Sequence, residues 1–365
     1  MNTLTLEKHC WAEIDLTALR ENYEYIRRTV GGPVCAVVKA DAYGHGDNVI
    51  ARVLQEAGAA GFAVSSLGEG RHLRRGGITT PILILGYADP TYAAVLAAND
   101  LITPCYSTEY AQALSAAAVK AGVKVKVHLK IDTGMGRYGF LPSQVAEAIA
   151  CYDLPNLEFT GAYTHFSSAF HDKAKTIAQL EVFKDTLAQI EKAGKTVGIR
   201  HAANSPALLN VEHVALDAVR IGSAFTGRVI THSKTPLHRL GRLEAEVVDI
   251  KEVPAGYAVG YNGTFVTKHP TTIAIVPMGH YDGFGLTKEK ENHNFHSVLS
   301  ALKQFLKKAH LTVTINGKAY PVIGEVGLSH TAVDVTGSSV QPGDIATCDL
   351  SPLLVNPRVP RVYTE

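Results

Sequence analysis

The sequence predicts an α/β fold in which an N-terminal (β/α)8 barrel of the TIM type is followed by a mainly β C-terminal domain. From residue 34 to about 225, short apolar runs rich in β-forming residues alternate with segments of helical spacing. The runs are continuously apolar, which is typical of parallel strands covered by helices, and eight βα units close naturally as a barrel. After about residue 233 the runs become shorter, alternate with polar residues and are separated by Gly, Pro and Asn turns, which indicates a β domain.

Eight candidate strands build the predicted barrel. They lie at 34–40, 61–66, 81–88, 101–107, 125–132, 157–166, 198–205 and 214–222. Segments with helical spacing separate them, such as NVIARVLQEAG after the first strand and DKAKTIAQLEVFKDTLAQIEKAG after the sixth.

This change in the sequence pattern near residue 233 predicts two domains. The barrel takes residues 1–232 and the C-terminal domain takes 233–365, with the first ~10 residues also a candidate part of the latter. Residues 287–310 form a charged insertion whose second half has helical periodicity, and we expect a solvated surface helix there.

Composition excludes several classes of function. The chain has 365 residues, 46% of them hydrophobic and 19% charged, with a net charge of +1, so no field would gather nucleic acid or anionic lipid. No stretch approaches the ~20 apolar residues that span a bilayer, and the N-terminus lacks a signal-peptide core, so we expect a cytoplasmic protein. The five cysteines are scattered and never form a CxxC pair, which predicts reduced thiols and no metal site.

Polar residues cluster where the predicted barrel strands end. They are Lys39 and Tyr43 after the first strand, Lys130, Asp132 and Arg137 after the fifth, His165 after the sixth, Asn204 and Ser205 after the seventh, and Arg220, Gly222 and Ser223 after the eighth. Any one of them could have a purely structural role, since a lysine can snorkel and Asn204 can simply start a helix. Because the carboxyl ends of barrel strands meet on one face, where barrel enzymes carry their chemistry, their coincidence predicts an active site.

A lysine at the end of an apolar strand suggests a carbonyl cofactor. Desolvation lowers the pKa of Lys39 and makes its free amine available for a Schiff base, as pyridoxal 5'-phosphate (PLP) requires. The phosphate would find its donors at Tyr43, Ser205, Gly222 and Ser223, while His165 would stack beside the ring. Arg220 would face the pyridine nitrogen and keep it unprotonated, because a guanidinium does not give up its proton, and this favours simple proton exchange at Cα.

The segment GMGRYG (134–139) suggests a competing site. It satisfies the dinucleotide pattern G-x-G-x-x-G, follows a predicted strand, and has Glu158 about twenty residues further on. However, it belongs to the fifth βα unit rather than the first, and Arg137 stands inside the turn where close backbone approach is needed. The dinucleotide hypothesis is therefore the weaker one.

Several of these segments together resemble the alanine racemase family of fold-type III PLP enzymes: AVVKADAYGHG, HLKIDTGMGRYGF, YTHFSS, HAANSPALL and AVRIG. The resemblance implies a PLP barrel with a C-terminal β domain, assembled as a homodimer in which each active site takes residues from the partner. It also implies that Lys39 is the Schiff-base lysine and one proton-transfer group, and that Asn204 lies in the cofactor-binding segment. Arg137 matches the arginine that contacts the cofactor's phenolic oxygen and the substrate carboxylate, and Lys130 matches a lysine, often carbamylated in the family, that orients it.

The C-terminal domain departs from the family pattern. The family's G-Y-A-D-G, whose tyrosine is the opposite-face base, is Gly-His280-Tyr281-Asp282-Gly here. A second family segment, G-R-x-x-M-D, is replaced by GEVGLS (324–329), and Pro357 stands where a phosphate-binding tyrosine is usual. The departures therefore fall on the segments that supply the family's second base, its substrate-carboxylate contact and one of its phosphate contacts.

Two geometries distinguish His280 from Tyr281. If the strand before them stays extended, His280 and Asp282 share a face and His280 enters the site, which is the favoured interpretation. If Gly279 forms a bulge, the register shifts and Tyr281 takes that place. A glycine-flanked turn with three solvated side chains is the third possibility.

The predicted function is PLP-dependent racemisation of alanine or another small amino acid. Because the second-base segment is altered, one-faced PLP chemistry (decarboxylation, aldol cleavage or transamination) is the alternative. A PLP carrier without turnover is a further alternative.

Overall fold

The computed structural model describes residues 9–286 and 311–365, so the predicted insertion at 287–310 lies outside the described residues. The chain forms two compact units. One runs from Leu16 to Leu240, and the other combines the described residues up to Asp15 with those from Gly241 onward.

The first unit is the barrel. After strand β1 (Cys10–Asp15), which belongs to the other unit, the barrel strands are β2 (Val34–Val37), β3 (Gly61–Val64), β4 (Ile82–Ile84), β5 (Leu101–Cys105), β6 (Val125–Lys130), β7 (Leu157–Tyr163), β8 (Ile199–His201) and β9 (Val219–Ile221). They pair in parallel in the order β8-β7-β6-β5-β4-β3-β2-β9, and a bridge between His201 and Ala218 nearly closes the ring. The predicted (β/α)8 barrel is therefore confirmed.

Helices alternate with these strands. They span Leu16–Val30, Asp47–Glu56, Leu67–Arg75, Ala93–Ala98, Thr108–Ala121, Val145–Cys151, Lys173–Lys192 and Ser205–Asn210, with 3-10 turns at Pro90–Tyr92 and Pro142–Gln144. Four of them begin at a residue whose side chain accepts a hydrogen bond from a backbone N–H: Ser66, Ser107, Asp172 and Asn204.

Apolar side chains fill the inside of the barrel. All residues of β3 and β5 are buried, which explains why their sequences are continuously apolar. Val37, Ala63, Leu83 and Ile102 pack together as one interior layer. Burying one such aliphatic side chain contributes about 1.5–3 kcal/mol.

The second unit is a β domain. Its strands after β1 are β10 (Gly241–Glu246), β11 (Asp249–Val253), β12 (Ala258–Val259), β13 (Phe265–Val266), β14 (Thr271–Val276), β15 (Thr312–Ile315), β16 (Lys318–Ile323), β17 (Thr331–Asp334), β18 (Ile345–Cys348) and β19 (Arg361–Thr364). Nine of them form one sheet in the order β11-β14-β17-β16-β15-β18-β10-β1-β19, and β12 pairs with β13. Strand β1 joins this sheet through β10 and β19.

The division at Leu240 differs from the sequence-based boundary at residue 232. The segment before Leu240 stays with the barrel because the buried side chain of Asn22 holds it: its Nδ2 donates to the His238 carbonyl at 2.7 Å and its Oδ1 accepts from the His238 amide at 2.8 Å. None of the described helices combines the length and the hydropathy that crossing a bilayer requires.

Candidate active site

A left-handed turn positions Lys39 at the carboxyl end of β2. The four residues Ala40 to Tyr43 all have φ between 49° and 57°, a conformation that costs non-glycine residues on the order of 1 kcal/mol or more each. The Glu69 carboxylate stabilises this turn, since it accepts from the Ala40 amide at 2.8 Å and from the Ser65 amide and hydroxyl at 2.6 and 2.7 Å. The direction in which Lys39 leaves the barrel is thereby fixed.

The pKa of the Lys39 amine is lowered by its surroundings. Its side chain is partly buried, and desolvation together with the Arg137 guanidinium lowers its pKa, with only Glu69 acting in the opposite direction. A lowered pKa increases the fraction of amine that can accept a proton or attack a carbonyl near neutrality.

Ser205, Gly222 and Tyr43 form a cradle at the ends of β8 and β9. The buried Ser205 hydroxyl accepts from the Gly222 amide at 3.1 Å and from the Ala224 amide at 3.2 Å. A side chain at Gly222 would overlap the Tyr43 hydroxyl, so only glycine fits there. Burial raises the pKa of Tyr43 to about 12, which keeps its hydroxyl protonated as a hydrogen-bond donor.

Asn204 and Ser223 border this cradle. The Asn204 side chain caps the helix Ser205–Asn210, because its Oδ1 accepts from the Ala207 amide at 3.1 Å. Its structural role is thus visible, while any cofactor contact remains a prediction. Ser223 directly follows Gly222 and is partly buried.

The buried Arg220 guanidinium is held by a set of acceptors. Its Nη1 donates to His201 Nδ1 at 2.7 Å and to the His201 carbonyl at 2.9 Å. Its Nη2 donates to the Thr164 carbonyl at 2.6 Å, and the Tyr163 ring lies 5.0 Å from the guanidinium carbon. Nε of Arg220 has no hydrogen-bond partner among the described residues, so it is the N–H available to a ligand.

His165 lies beside Arg220 and is neutral. Burial, followed by the charges of Arg220, Arg137 and two lysines, lowers the pKa of His165 to about 3. Its Nδ1 is 3.4 Å from Arg220 Nη2, which can only donate. His165 therefore presents an uncharged ring at this face.

Arg137 projects from a loop that Asp132 organises. The Asp132 carboxylate accepts from the amides of Gly134, Met135 and Arg137 at 2.9, 2.7 and 3.1 Å, while the Arg137 side chain itself is exposed. These amides are the donors that a dinucleotide loop would offer to a diphosphate. The dinucleotide hypothesis for GMGRYG fails because a protein carboxylate already occupies them.

Lys130 is buried behind this loop. Its Nζ lies 5.3 Å from the centroids of the Tyr138 and Tyr163 rings and has no hydrogen-bond partner in the described part of the chain. Desolvation, with Arg137 and Arg220 nearby, lowers the pKa of Lys130 to about 8. A substantial fraction of this amine is thus neutral near physiological pH.

The residues of this face fit PLP. Four cationic side chains interact here: Lys39, Lys130, Arg137 and Arg220. The nearby carboxylates are already engaged, since Asp132 accepts from backbone amides and Glu69 stabilises the left-handed turn. Such an excess of positive charge suits an anionic cofactor and a substrate carboxylate. The cradle offers hydroxyl and amide donors for a phosphate, and Arg220 Nε–H suits an unprotonated pyridine nitrogen.

In the β domain, the segment Gly279–Gly283 is not extended, so the geometry that favoured His280 is wrong. Strand β14 ends at Val276, and His280–Asp282 form a 3-10 turn. The Asp282 carboxylate accepts from the Gly279 amide at 3.0 Å, which closes the turn. The alternation argument therefore does not apply.

The turn at His280–Asp282 is hydrogen-bonded to a neighbouring segment, so it is not the solvated loop that was the third possibility. The amides of His280 and Tyr281 donate to the carbonyls of Gly327 and Leu328 at 3.0 and 2.8 Å. A Cβ at Gly279 would lie 2.5 Å from both of these carbonyl oxygens, so the two segments pack backbone against backbone.

The two candidate bases have different surroundings. His280 Nδ1 is 3.1 Å from the Phe284 carbonyl, which can only accept, so Nδ1 carries a hydrogen and the neutral tautomer of this ring has its lone pair on Nε2. The Tyr281 side chain is 45% exposed, and its hydroxyl lies 3.4 Å from Nη1 of Arg358. His280 is therefore oriented as a base, whereas Tyr281 is oriented as an acceptor for a cation.

The stability of the barrel is expected to fall as pH decreases from 6.5 towards 4. Three buried histidines have a lowered pKa through burial: His165 to about 3, His128 to about 4, and His201 well below its usual range. Below pH ~6.5 the unfolded chain binds protons that the folded one excludes, so each histidine costs about 1.4 kcal/mol per pH unit. Urea unfolding between pH 4 and 8 would measure this slope.

A His128→Gln variant is the matched control for that slope, since it removes one buried histidine and keeps a polar side chain. It should unfold with a shallower dependence on pH below 6.5. A slope equal to that of the original protein would show that these histidines titrate normally in the folded state.

Sequence reasoning missed Glu69, His201 and His128. Glu69 lies in a helical pattern far along the chain from Lys39, and no local signal links the two. His128 precedes Lys130 by two positions on the same strand, so the period-2 pattern places both side chains on the same face of that strand. This pattern was the one sequence signal that could have identified His128.

Comparison with known proteins gives consistent matches. Residues 14–229 match the family model "Alanine racemase, N-terminal domain" and residues 240–350 match "Alanine racemase, C-terminal domain". An alanine racemase from Desulfovibrio desulfuricans is 34% identical over 390 residues, covering 99% of this chain and 100% of its own. One from Desulfosudis oleivorans is 36% identical over 345 residues, covering 90% of this chain and 83% of its own.

Solved structures agree. The alanine racemase of Clostridium difficile superposes with a TM-score of 0.87 at 29% identity, over 98% of this chain and 96% of that chain. A histidine racemase from Leuconostoc mesenteroides gives a TM-score of 0.84 at 24% identity over 100% of both chains, and it supports the fold alone.

Proposed function

This chain belongs to the alanine racemase family and is a PLP-dependent amino-acid racemase, and from that premise we propose how its residues divide the reaction. PLP, when bound, supplies an electron sink that makes the Cα–H of an attached amino acid acidic. Lys39 is the residue that holds the cofactor and exchanges the Cα proton on one face. The observation that carries this assignment is the position of Lys39 on a left-handed turn at the carboxyl end of β2, within a cluster of cations.

The cofactor-binding residues follow from the hydrogen bonds already described. Tyr43, Ser205, Gly222 and Ser223 would hold the phosphate, with Asn204 positioning their segment as a helix cap. His165 would lie against the ring as an uncharged group.

Arg220 would donate its Nε–H to the pyridine nitrogen. Because a guanidinium keeps its proton, Arg220 would leave that nitrogen unprotonated, and the cofactor would then be a weaker electron sink. A weak sink favours returning the proton to Cα over reactions in which another bond to Cα breaks, which is the chemistry that a racemase needs.

Arg137 is the proposed partner of the substrate carboxylate. Its guanidinium is exposed and makes no side-chain hydrogen bond with the described residues. A small amino acid such as alanine is the proposed substrate, because it is the substrate named for the curated relatives.

Lys130 would orient Arg137 as a carbamate. The ammonium of Lys130 would repel the Arg137 guanidinium, whereas a carbamate on Lys130 would attract it. The neutral amine is the form that attacks CO2 with loss of a proton, and a pKa of about 8 makes that form accessible. We expect 13C-labelled bicarbonate to give a carbamate signal in the protein that Lys130→Arg lacks. An identical spectrum for both proteins would contradict this role.

His280 is the proposed second proton-transfer group. The Phe284 carbonyl fixes its tautomer, so Nε2 presents a lone pair, and an imidazole is the easier base near neutrality. The Tyr281 hydroxyl, which accepts from Arg358, is the second candidate. Relatives named as racemases do not favour the alternative of one-faced PLP chemistry, in which neither residue would be needed.

Replacing His280 by phenylalanine should lower kcat in both directions by about 10²- to 10⁴-fold, because one face of Cα loses its proton-transfer group. Tyr281→Phe is the matched variant and should retain most of the activity. Racemisation rates from L- and D-alanine, measured by chiral chromatography, test the pair. Loss of activity in Tyr281→Phe alone would assign the role to Tyr281.

A homodimer with shared active sites is proposed as the assembly, in which the partner supplies the His280–Tyr281 turn. In support, the β domain exposes Tyr261 (71%) and Leu328 (69%) beside Gly327 in a depression of about 420 Å³. Mixing inactive Lys39→Ala with inactive His280→Phe should then restore part of the activity, because a mixed dimer contains one intact site. No recovery in subunits shown to exchange would contradict sharing.

We place the protein in the cytoplasm. The five cysteines are free thiols, which suits a reducing compartment. Quantitative thiol labelling of the protein isolated from cell extract under non-reducing conditions should find all five reduced.

A further inference from the structure

A chain of hydrogen bonds runs from Arg220 towards the opposite end of the barrel. Arg220 Nη1 can only donate, so His201 Nδ1, 2.7 Å away, is an acceptor. His201 is buried and neutral, hence its hydrogen is on Nε2, which donates to His128 Nδ1 at 2.8 Å. His128 is neutral as well, so its own hydrogen must be on Nε2. The hydrogen positions of both rings thus follow from the arginine.

This chain of hydrogen bonds from Arg220 through His201 to His128, the relay, ends at the Nε2–H of His128. That N–H has no hydrogen-bond acceptor among the described residues. His128 is only 6% exposed, so water reaches it poorly. Its ring packs against the backbone of Gly161, where a Cβ would lie 2.7 Å from Nε2. The Thr160 hydroxyl, on the same strand as Gly161, is also buried and without a hydrogen-bond partner in the described part of the chain. The Thr160 hydroxyl is thus sealed off by protein, and of these two polar side chains only His128 offers a donor that a ligand can reach.

Both groups line a cavity of about 400 Å³ at the amino-terminal end of the barrel. This end is opposite to the carboxyl end where Lys39 lies. Most of the remaining wall is apolar and is contributed by Cys35, Phe62, Leu83, Ile102 and Ile199. A cavity of this size and composition is typical of sites that bind small apolar molecules through a few polar groups.

The charges near the mouth disfavour an anion. Lys126 and Asp100, which both border the cavity, form an ion pair at 2.7 Å and neutralise each other. Two further carboxylates, Glu158 and Asp217, leave the border net negative. Because the His128 N–H requires an acceptor, which a metal cation lacks, an uncharged acceptor matches this environment best.

We propose that this cavity is a second binding site, which takes a small uncharged apolar molecule whose carbonyl oxygen accepts from His128 Nε2–H. Burial of the apolar body supplies affinity, and the His128 donor orients the oxygen. Because hydrogen bonds in a chain polarise one another, an acceptor on His128 also changes the bond between His201 and Arg220.

N,N-dimethylbenzamide is a suitable probe, since its carbonyl only accepts hydrogen bonds and does not react with amines. Calorimetric titration into the holoenzyme with saturating alanine present should give saturable binding to one site per chain. 15N spectra of the histidine side chains should show the Nε2–H of His128 shifting with the same saturation curve. Alanine occupies the proposed active site, so competition by alanine would place the probe there and overturn the proposal.

Two variants localise the site. His128→Phe keeps an aromatic ring but removes the donor, and it should weaken binding by about threefold to tenfold. Ala60→Trp fills the exposed mouth and should abolish binding, whereas Ala121→Trp, on an exposed helix end outside the cavity, should bind as the original protein does. Absence of saturable binding, or binding that neither His128→Phe nor Ala60→Trp changes, would overturn the proposal whatever the racemase activity.

Discussion

Lys39→Ala is expected to lower kcat for racemisation by about 10⁴-fold, the largest effect of any single substitution in this chain. Lys39 combines two proposed roles, as the residue that holds the cofactor and as the proton-transfer group for one face of Cα. Its amine leaves the barrel from the left-handed turn at the end of β2, and desolvation together with Arg137 lowers its pKa. Conversion of L-alanine to D-alanine, followed by chiral chromatography, measures the loss.

The control for this variant is Lys120→Ala, which removes an exposed lysine of a barrel helix and should retain full activity. Cofactor retention provides a second readout. After borohydride reduction the original protein should keep PLP covalently through dialysis, whereas Lys39→Ala should lose it. Covalent PLP in reduced Lys39→Ala would show that another residue forms the Schiff base.

Arg220→Met should lower the free energy of unfolding by roughly 3–5 kcal/mol, because several buried acceptors would each lose their donor at a cost of about 1–3 kcal/mol. The guanidinium donates to His201, Thr164 and Ala202 from inside the barrel, and methionine fills much of the volume but leaves all of these acceptors unsatisfied. Racemase activity should fall as well, because the pyridine nitrogen loses its proposed partner. Urea unfolding and kcat measure the two effects separately.

Arg27→Met is the matched control. Arg27 is exposed and pairs only with Glu24 on the surface, so its replacement should change the free energy of unfolding by less than about 1 kcal/mol. A small loss for Arg220→Met, similar to that for Arg27→Met, would show that the acceptors around Arg220 find other donors and that the relay is not important for stability.

The barrel was predictable because its strands are buried on both faces. Continuous apolar runs such as PILILG and LITPC are typical of strands inside a parallel sheet, and each barrel strand was found within its predicted range. The positions of Lys39, Arg220 and Ser205 followed from the same pattern, since a polar residue at the end of an apolar strand has to face the open end of the barrel.

The left-handed turn after Lys39 could not be predicted. Its sequence, ADAY, contains no glycine, and local preferences disfavour positive φ at all four positions. The turn exists because Glu69, 29 residues from Ala40, accepts its first amide. Tertiary contacts of this kind leave no trace in a local pattern.

The turn at His280–Asp282 was predicted wrongly for a related reason. Alternation in TIAIVPM suggested that the strand continues, but the carbonyls of Gly327 and Leu328 bind the amides of His280 and Tyr281 and bend the chain. The relay from Arg220 to His128 was also missed, because His128 and His201 are 73 residues apart and meet only in the folded barrel.

The central claim is that two groups exchange the Cα proton from opposite faces, and one measurement tests it most directly. The holoenzyme is incubated with L-alanine and, separately, with D-alanine in deuterated water, and both chirality and deuterium at Cα are followed. We expect each enantiomer to yield the other and the inverted product to carry deuterium. Deuterium uptake with retained configuration, or no exchange with any of a panel of amino acids, would contradict the claim.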